Sequence, residues 1–234
     1  MPYVIQRTVT IFNRDQISAA DLTVLNKGKW GNAEVFLYNS PVGKWVLKDF
    51  AGRPWLVRNT IGRYMIKKEM GALSKLAGIA GIPDDVFKLD SYCVCYRYVE
   101  GQTLRDCREA LSADFFLRLE ELVRCMHEKG LAHLDLRYRR NILVTNEMRP
   151  AIIDFQSGVH LDKVPRIFHD LLKDVDISGV YKHWKRFSPE TMGAEREKRL
   201  ADIMRIRKFW VFRGYMVQRL IKKIKGGGGN SVDV

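Results

Sequence analysis

Up to about residue 100 this chain reads mostly as strands, and beyond it mostly as helices. That change of period near Glu100-Gly101 points to an α+β fold with a mostly β N-lobe, residues 1–100, and a short, mostly α C-lobe, residues 101–225. In the first part, DLTVLNKG and AEVFLYN read as two strands joined by the turn Gly28-Lys29-Trp30-Gly31-Asn32. GKWVLKDF follows as a third strand. From Trp55 to Leu76 the spacing predicts a helix, with Ile61, Met65, Met70, Leu73 and Leu76 near one face, ended by the glycines and proline of GIAGIPDD. VFKLD and SYCVCYRYV read as a hairpin. In the second part, Ser112 is a good N-cap for the helix ADFFLRLEELVRCMHEKG, which Gly130 closes. The strands ILVT and AIIDF come next, and the remainder is helical and basic.

A hydrophobic fraction of 46% suits a globular protein that buries a core. The N-terminus lacks the order of a signal peptide, and no run approaches the roughly 18 apolar residues of a membrane span. The expectation is a cytoplasmic protein, with peripheral contact at the inner face of the membrane as an option. Cys93 and Cys95 lie two apart and point to one strand face, and without a second Cys/His pair they read as buried thiols rather than zinc ligands. The net charge of +13 is concentrated toward the end: residues 203–225 hold eight Lys or Arg and no Asp or Glu. Residues 204–225 read either as an apolar stripe completing the core or as a contact for an anionic membrane. Nucleic acid is a less favoured partner, and residues 226–234 are expected to be disordered.

The stretch HLDLRYRRNILV sets Asp135 among His133, Arg137, Arg139 and Arg140, and places Asn141 directly before an apolar run. In chain order there are a glycine-bearing turn, a strand lysine (Lys48), a helix glutamate (Glu69), an Asp and an Asn in one loop, and an Asp ending a strand (Asp154). Phosphoryl transfer from ATP needs parts of these kinds, because its chemistry is mostly positioning and charge neutralisation. Each part also has an ordinary reading: an edge-strand lysine, a solvent pair of Glu69 with Lys67 or Lys68, and turn-capping Asp and Asn residues.

GLAHLDLRYRRNILV followed by AIIDFQSGV resembles the catalytic loop and metal-binding segment of the protein-kinase-like superfamily, in particular its small atypical members, RIO-type kinases and lipopolysaccharide core-sugar kinases. GKWGNAEVFLY is similar to the abbreviated phosphate loop of RIO kinases. The resemblance implies a bilobal kinase-like fold, with ATP and Mg²⁺ as cofactors. It makes Asp135 the catalytic aspartate, Arg137 a neutraliser of the γ-phosphate, and Asn141 and Asp154 the metal ligands. Lys48 with Glu69, the turn at Gly28 and Gly31, and the linker residues Tyr98, Val99 and Glu100 would bind nucleotide. Three departures stand out. Five residues rather than four separate Asp135 from Asn141, and Asp-Phe-Gln replaces Asp-Phe-Gly, which suggests a fixed segment. The activation and peptide-docking region is missing, and FSPE at 187–190 reads as a helix-breaking turn. His133 reads as a structural residue steadying the loop. Arg139 and Arg140 are either solvated or recognise an acidic or phosphorylated acceptor. The expected acceptor is a hydroxyl of a membrane-linked sugar or glycolipid. The runner-up is a protein Ser/Thr, as in a RIO-like kinase or ATPase, and the third reading is a nucleotide-binding pseudokinase scaffold.

Overall fold

The computed structural model describes residues 12–206. The tail at 226–234 and all of the basic stretch from 207 onward lie outside the described residues. Strands β1 (Leu22–Asn26), β2 (Glu34–Ser40), β3 (Gly43–Asp49), β4 (Phe87–Lys88) and β5 (Cys93–Arg97) form one antiparallel sheet in the order β1-β2-β3-β5-β4. β3 is thus an inner strand, so Lys48 is not at an edge. Strand alternation sends Trp45 and Leu47 to one face, where Phe12 meets Tyr38, Trp45 and Phe87, and Trp45 meets Phe87, in edge-on ring contacts. Cys93 and Cys95 are buried on that same face, as their spacing requires. The alternate residues Val46 and Lys48 face the helix on the other side.

The helix predicted from Trp55 to Leu76 forms as α1 (Trp55–Val57), a π-helical turn (Arg58–Gly62) and α2 (Arg63–Leu76). Its buried stripe differs from the expected one. Gly62, Ile66, Glu69, Ala72, Leu73 and Leu76 are buried, while Ile61 is 40% exposed and Met65 and Met70 are half-buried. Two causes are visible. The wider π turn rotates the residues before it relative to those after it, and Glu69, which a hydropathy count assigns to water, lies on the buried face. Gly62 lets the helix close on the sheet, since a Cβ there would stand 2.9 Å from the Phe50 ring.

After β6 (Gln102–Thr103) come α3 (Ala113–Glu128), β7 (Leu131–Ala132), β8 (Ile142–Val144), β9 (Pro150–Ile152), β10 (Val159–His160), α4 (His169–Phe187) and α5 (Pro189–Met192). Helical residues 194–206 complete the described chain. The Ser112 hydroxyl accepts from the Phe115 amide, and Gly130 turns the chain with a φ of 75°. β8 and β9 are antiparallel neighbours, which sets Asn141, just before one, beside Ile153, just after the other: the Ile153 amide donates to the Asn141 carbonyl at 2.9 Å. FSPE is the break between two helices, with Pro189 opening α5. Only residues 155–168 separate Asp154 from α4, in short turns and β10. Sheet first and helices after, this is the α+β, kinase-like arrangement the sequence implied. Among the described residues no helix is long and apolar enough to cross a membrane.

α3 and α4 are joined by Phe116 stacked on Trp184 and by Glu120, a 3% exposed carboxylate. Glu120 accepts from Tyr181 and Arg124 at 2.7 Å and from Arg196 at 2.8 Å. Burial alone would raise its pKa; the donors, Tyr181 and Arg196 foremost, outweigh burial and hold it below the ordinary 4.5. Such a group stabilises the fold above its unfolded pKa and loses that contribution as pH falls through the folded one. Glu120→Ala should cost about 2 kcal/mol in urea unfolding at neutral pH, and the gap from the wild type should shrink below pH 4.5.

Candidate active site

The loop that carries Asp135 is fixed from beneath by α4. Asp176, fully buried near the middle of that helix, accepts from the backbone amides of His133 and Leu134, both at 2.7 Å, and contacts His127 Nε2 at 3.0 Å. Leu134 has a φ of 68°, a strained setting for a branched side chain that these bonds hold in place. His183 Nε2 donates to the Leu136 carbonyl at 2.8 Å. Gly179 lets the helix touch the loop backbone: a Cβ would stand 3.0 Å from the Leu136 carbonyl carbon and 3.1 Å from the Arg137 nitrogen. His133 is fully buried, with Nε2 donating to the Ile153 carbonyl and Nδ1 accepting from the Asp135 amide. That pattern needs the neutral ring, and burial indeed lowers its pKa. His133 therefore steadies the loop, as expected.

The five-residue spacer closes in two successive turns. The Tyr138 amide donates to the Asp135 carbonyl, and the Asn141 amide to the Tyr138 carbonyl. Asn141 Nδ2 then reaches back to the Asp135 carboxylate at 2.9 Å and to its carbonyl at 3.1 Å. The extra residue is absorbed in the bulge of the loop, and Asp135 and Asn141 still meet.

Lys48 is 6% exposed, with Nζ 2.6 Å from Glu69 and 2.7 Å from Asp154. Burial alone would lower its pKa, but the two carboxylates outweigh burial and hold it well above the usual lysine value. Burial pushes Glu69 up against the pull of Lys48, while Lys48 outweighs burial at Asp154 and keeps it below its ordinary value. Glu69 pairs with neither Lys67 nor Lys68. Its other oxygen accepts from Gln156 Nε2 at 3.4 Å, so the residue in place of the usual glycine ties the segment after Asp154 to α2. Asp154 itself has a φ of 66°.

Gly28 has a φ of 64°, and a Cβ there would meet the Ala33 carbonyl oxygen at 2.3 Å, so the turn requires glycine. Gly31 has open space around it. The turn is gripped by Arg53, which donates to the Lys27 carbonyl and pairs with Glu34. Tyr98 donates its amide to the Lys44 carbonyl, and Glu100 pairs with Lys44 at 2.7 Å. Arg137 is exposed and has no ion-pair partner among the described residues. A cavity of about 480 Å³ lies apart from this cluster: it is lined by Ile82, Val99, Glu100, Leu122, Arg149 and Pro150 among others, and by none of Lys48, Asp135 and Asp154.

Among the described residues no three His, Cys, Asp or Glu side chains gather as a metal site. The candidate metal ligands are a carboxylate and an amide, Asp154 and Asn141. Asn141 spends its Nδ2 on Asp135, which leaves Oδ1 as a donor. Oxygen donors of this kind suit a hard cation such as Mg²⁺, which keeps several waters and takes one or two carboxylates. Comparison with protein families finds a RIO domain over residues 52–196, more than half of the chain. The chain belongs to the RIO family. RIO proteins are atypical kinases or ATPases that bind ATP with Mg²⁺, so the chain has a kinase-type domain. The matched range includes Glu69, Asp135, Asn141 and Asp154 and leaves Gly28, Gly31 and Lys48 outside it. Comparison with curated proteins finds none that matches.

Sequence reasoning missed Asp176, Gly179 and His183 as parts of this site, and read Gln156 as a missing hinge glycine without foreseeing its bond to Glu69. The signal for Asp176 was an acid within the apolar helix DVDISGVYKHW; the others carried none. Asp176→Asn should leave the chain folded but speed amide exchange at His133 and Leu134. Losing charge-assisted bonds of about 1.5–3 kcal/mol corresponds to a tenfold to hundredfold acceleration, readable by hydrogen–deuterium exchange.

Proposed function

We propose that the protein is an ATP-dependent phosphotransferase of the RIO type, moving the γ-phosphoryl group of ATP to a protein Ser/Thr hydroxyl or to water. The observation that carries it is Lys48, drawn by two carboxylates to the meeting point of β3, α2 and the segment after β9. The family match favours this reading over the sugar or glycolipid acceptor that the lipopolysaccharide-kinase resemblance implied, and lends no support to that acceptor.

In this reading the cleft lies between an N-lobe of residues 1–100 and a C-lobe of 101–225. Lys48, held by Glu69, neutralises the α and β phosphates of ATP, and the turn at Gly28 and Gly31 covers them. The backbone from Tyr98 to Glu100 meets the adenine edge. Asn141 and Asp154 would hold Mg²⁺, which when bound offsets the phosphate charge. Asp135, held by the Asn141 amide, orients the attacking hydroxyl and accepts its proton as the new P–O bond forms and the bond to ADP breaks. Arg137, exposed on the same loop, faces the charge of the transferred group with a planar fork of donors.

Thermal unfolding with Mg²⁺-ATP tests the site. At about 100 times its dissociation constant the nucleotide should stabilise the wild type by about 2.7 kcal/mol. Asp154→Ala should abolish that gain. Absence of a shift in the wild type at millimolar Mg²⁺-ATP would sink the catalytic reading and leave a scaffold. A second measurement addresses the chemistry: Asp135→Asn should keep the nucleotide-induced shift and lose ADP release by at least 100-fold, since removing a general base costs about 10²–10⁴.

A further inference from the structure

Fifteen large apolar side chains are exposed among the described residues, and seven of them come from β1, the turn after it and the helix that starts at Trp55: Val24, Leu25, Trp30, Trp55, Leu56, Ile61 and Tyr64. Trp30 is 73% exposed, Trp55 69% and Leu56 63%. The two tryptophans come from different elements, which are linked at the β1 edge of the sheet: Arg53, two residues before Trp55, donates to the Lys27 carbonyl in the turn that carries Trp30. Exposed apolar surface concentrated in this way marks an interaction site. We propose that this edge is a docking surface for an anionic lipid bilayer.

Three further observations favour a bilayer. Residues 51–68 contain five Arg or Lys and no Asp or Glu. Arg63 and Lys67 on the helix, and Lys27 and Lys29 on the turn, are exposed and have no carboxylate partner among the described residues. Glu34, an acid on the adjoining strand, is paired with Arg53 at 3.5 Å. Basic residues flanking tryptophan, tyrosine and leucine are the composition of a helix that lies in the headgroup region of an anionic membrane. The Thr60 and Asn59 side chains on the helix already have partners. Thr60 Oγ1 donates to the Leu56 carbonyl, and Asn59 Nδ2 to the Trp55 carbonyl while its Oδ1 accepts from Tyr92. These two side chains would therefore keep their partners on entering the headgroup region. Single-stranded nucleic acid would use the same charges and the aromatic faces, but Leu56 and Ile61 present no ring on which a base stacks. The residues substituted in the test, Trp55, Leu56, Arg63 and Lys67, have no part in the phosphotransfer reading, whereas Lys27, Lys29 and Trp30 share the turn that this reading sets over the phosphates.

The test uses the full chain, including residues 207–225, and co-sedimentation with large vesicles of phosphatidylcholine alone or with phosphatidylglycerol, at physiological salt. The expected result is binding that needs the anionic lipid. It should fall at least tenfold in Trp55→Ser/Leu56→Ser and again in Arg63→Glu/Lys67→Glu, with the thermal unfolding midpoint unchanged in both. Trp55 and Trp30 should also be quenched by brominated lipid chains in the wild type. Vesicle binding unaffected by either pair of substitutions, as it would be if another basic segment carried it, overturns the proposal. So does a loss of single-stranded oligonucleotide binding in these variants while vesicle binding is unchanged, or absence of vesicle binding in the wild type.

Discussion

The site depends on keeping one ammonium group charged in a place that excludes water. Lys48 meets Glu69 and Asp154 within 2.7 Å, and the three groups come from a strand, a helix and a loop that are distant in sequence. Desolvating one lysine is costly, and its attraction to a single carboxylate inside a protein does not always repay that. Two carboxylates tip the balance, and the geometry that supplies them constrains everything nearby. β3 has to be an inner strand with Lys48 on the helix side. α2 has to turn Glu69 inward, and β9 has to deliver Asp154 to the same point.

A second layer sits under the first. Asp176 serves the loop backbone rather than any side chain of the reaction, taking two amides from residues 133 and 134. His183 holds a carbonyl of the same loop, and Gly179 removes the one atom that would keep helix and loop apart. Asp135 is therefore placed by α4, about 40 residues further along the chain, as much as by its neighbours His133, Tyr138 and Asn141.

This explains what could be read in advance. The alternation of strands, the capped helix after Ser112, and the Asp-Asn and Asp-Phe pairs are local signals, and they led to the fold and to the principal side chains. The burial of Glu69 was not local: its neighbours Lys67 and Lys68 offered partners at hand, and only the tertiary fold brings Lys48 closer. The phase of the helix around Ile61 was lost for a related reason, since a π turn leaves no mark in hydropathy. The five-residue spacer looked like a defect by counting alone, whereas two consecutive turns accommodate it. The acceptor was over-read from a family likeness.

Gln156 has a bearing on motion. A glycine after the Asp-Phe pair would give the backbone a pivot with many accessible conformations, and the segment could swing by rotating a few dihedrals. A glutamine bonded to Glu69, in a short 3₁₀ turn, offers no such pivot. For Asp154 to move away from Lys48, the contacts of Gln156 and Lys48 must break together with the turn. That is an event of local unfolding, with a cooperative barrier, rather than the free swing of a hinge.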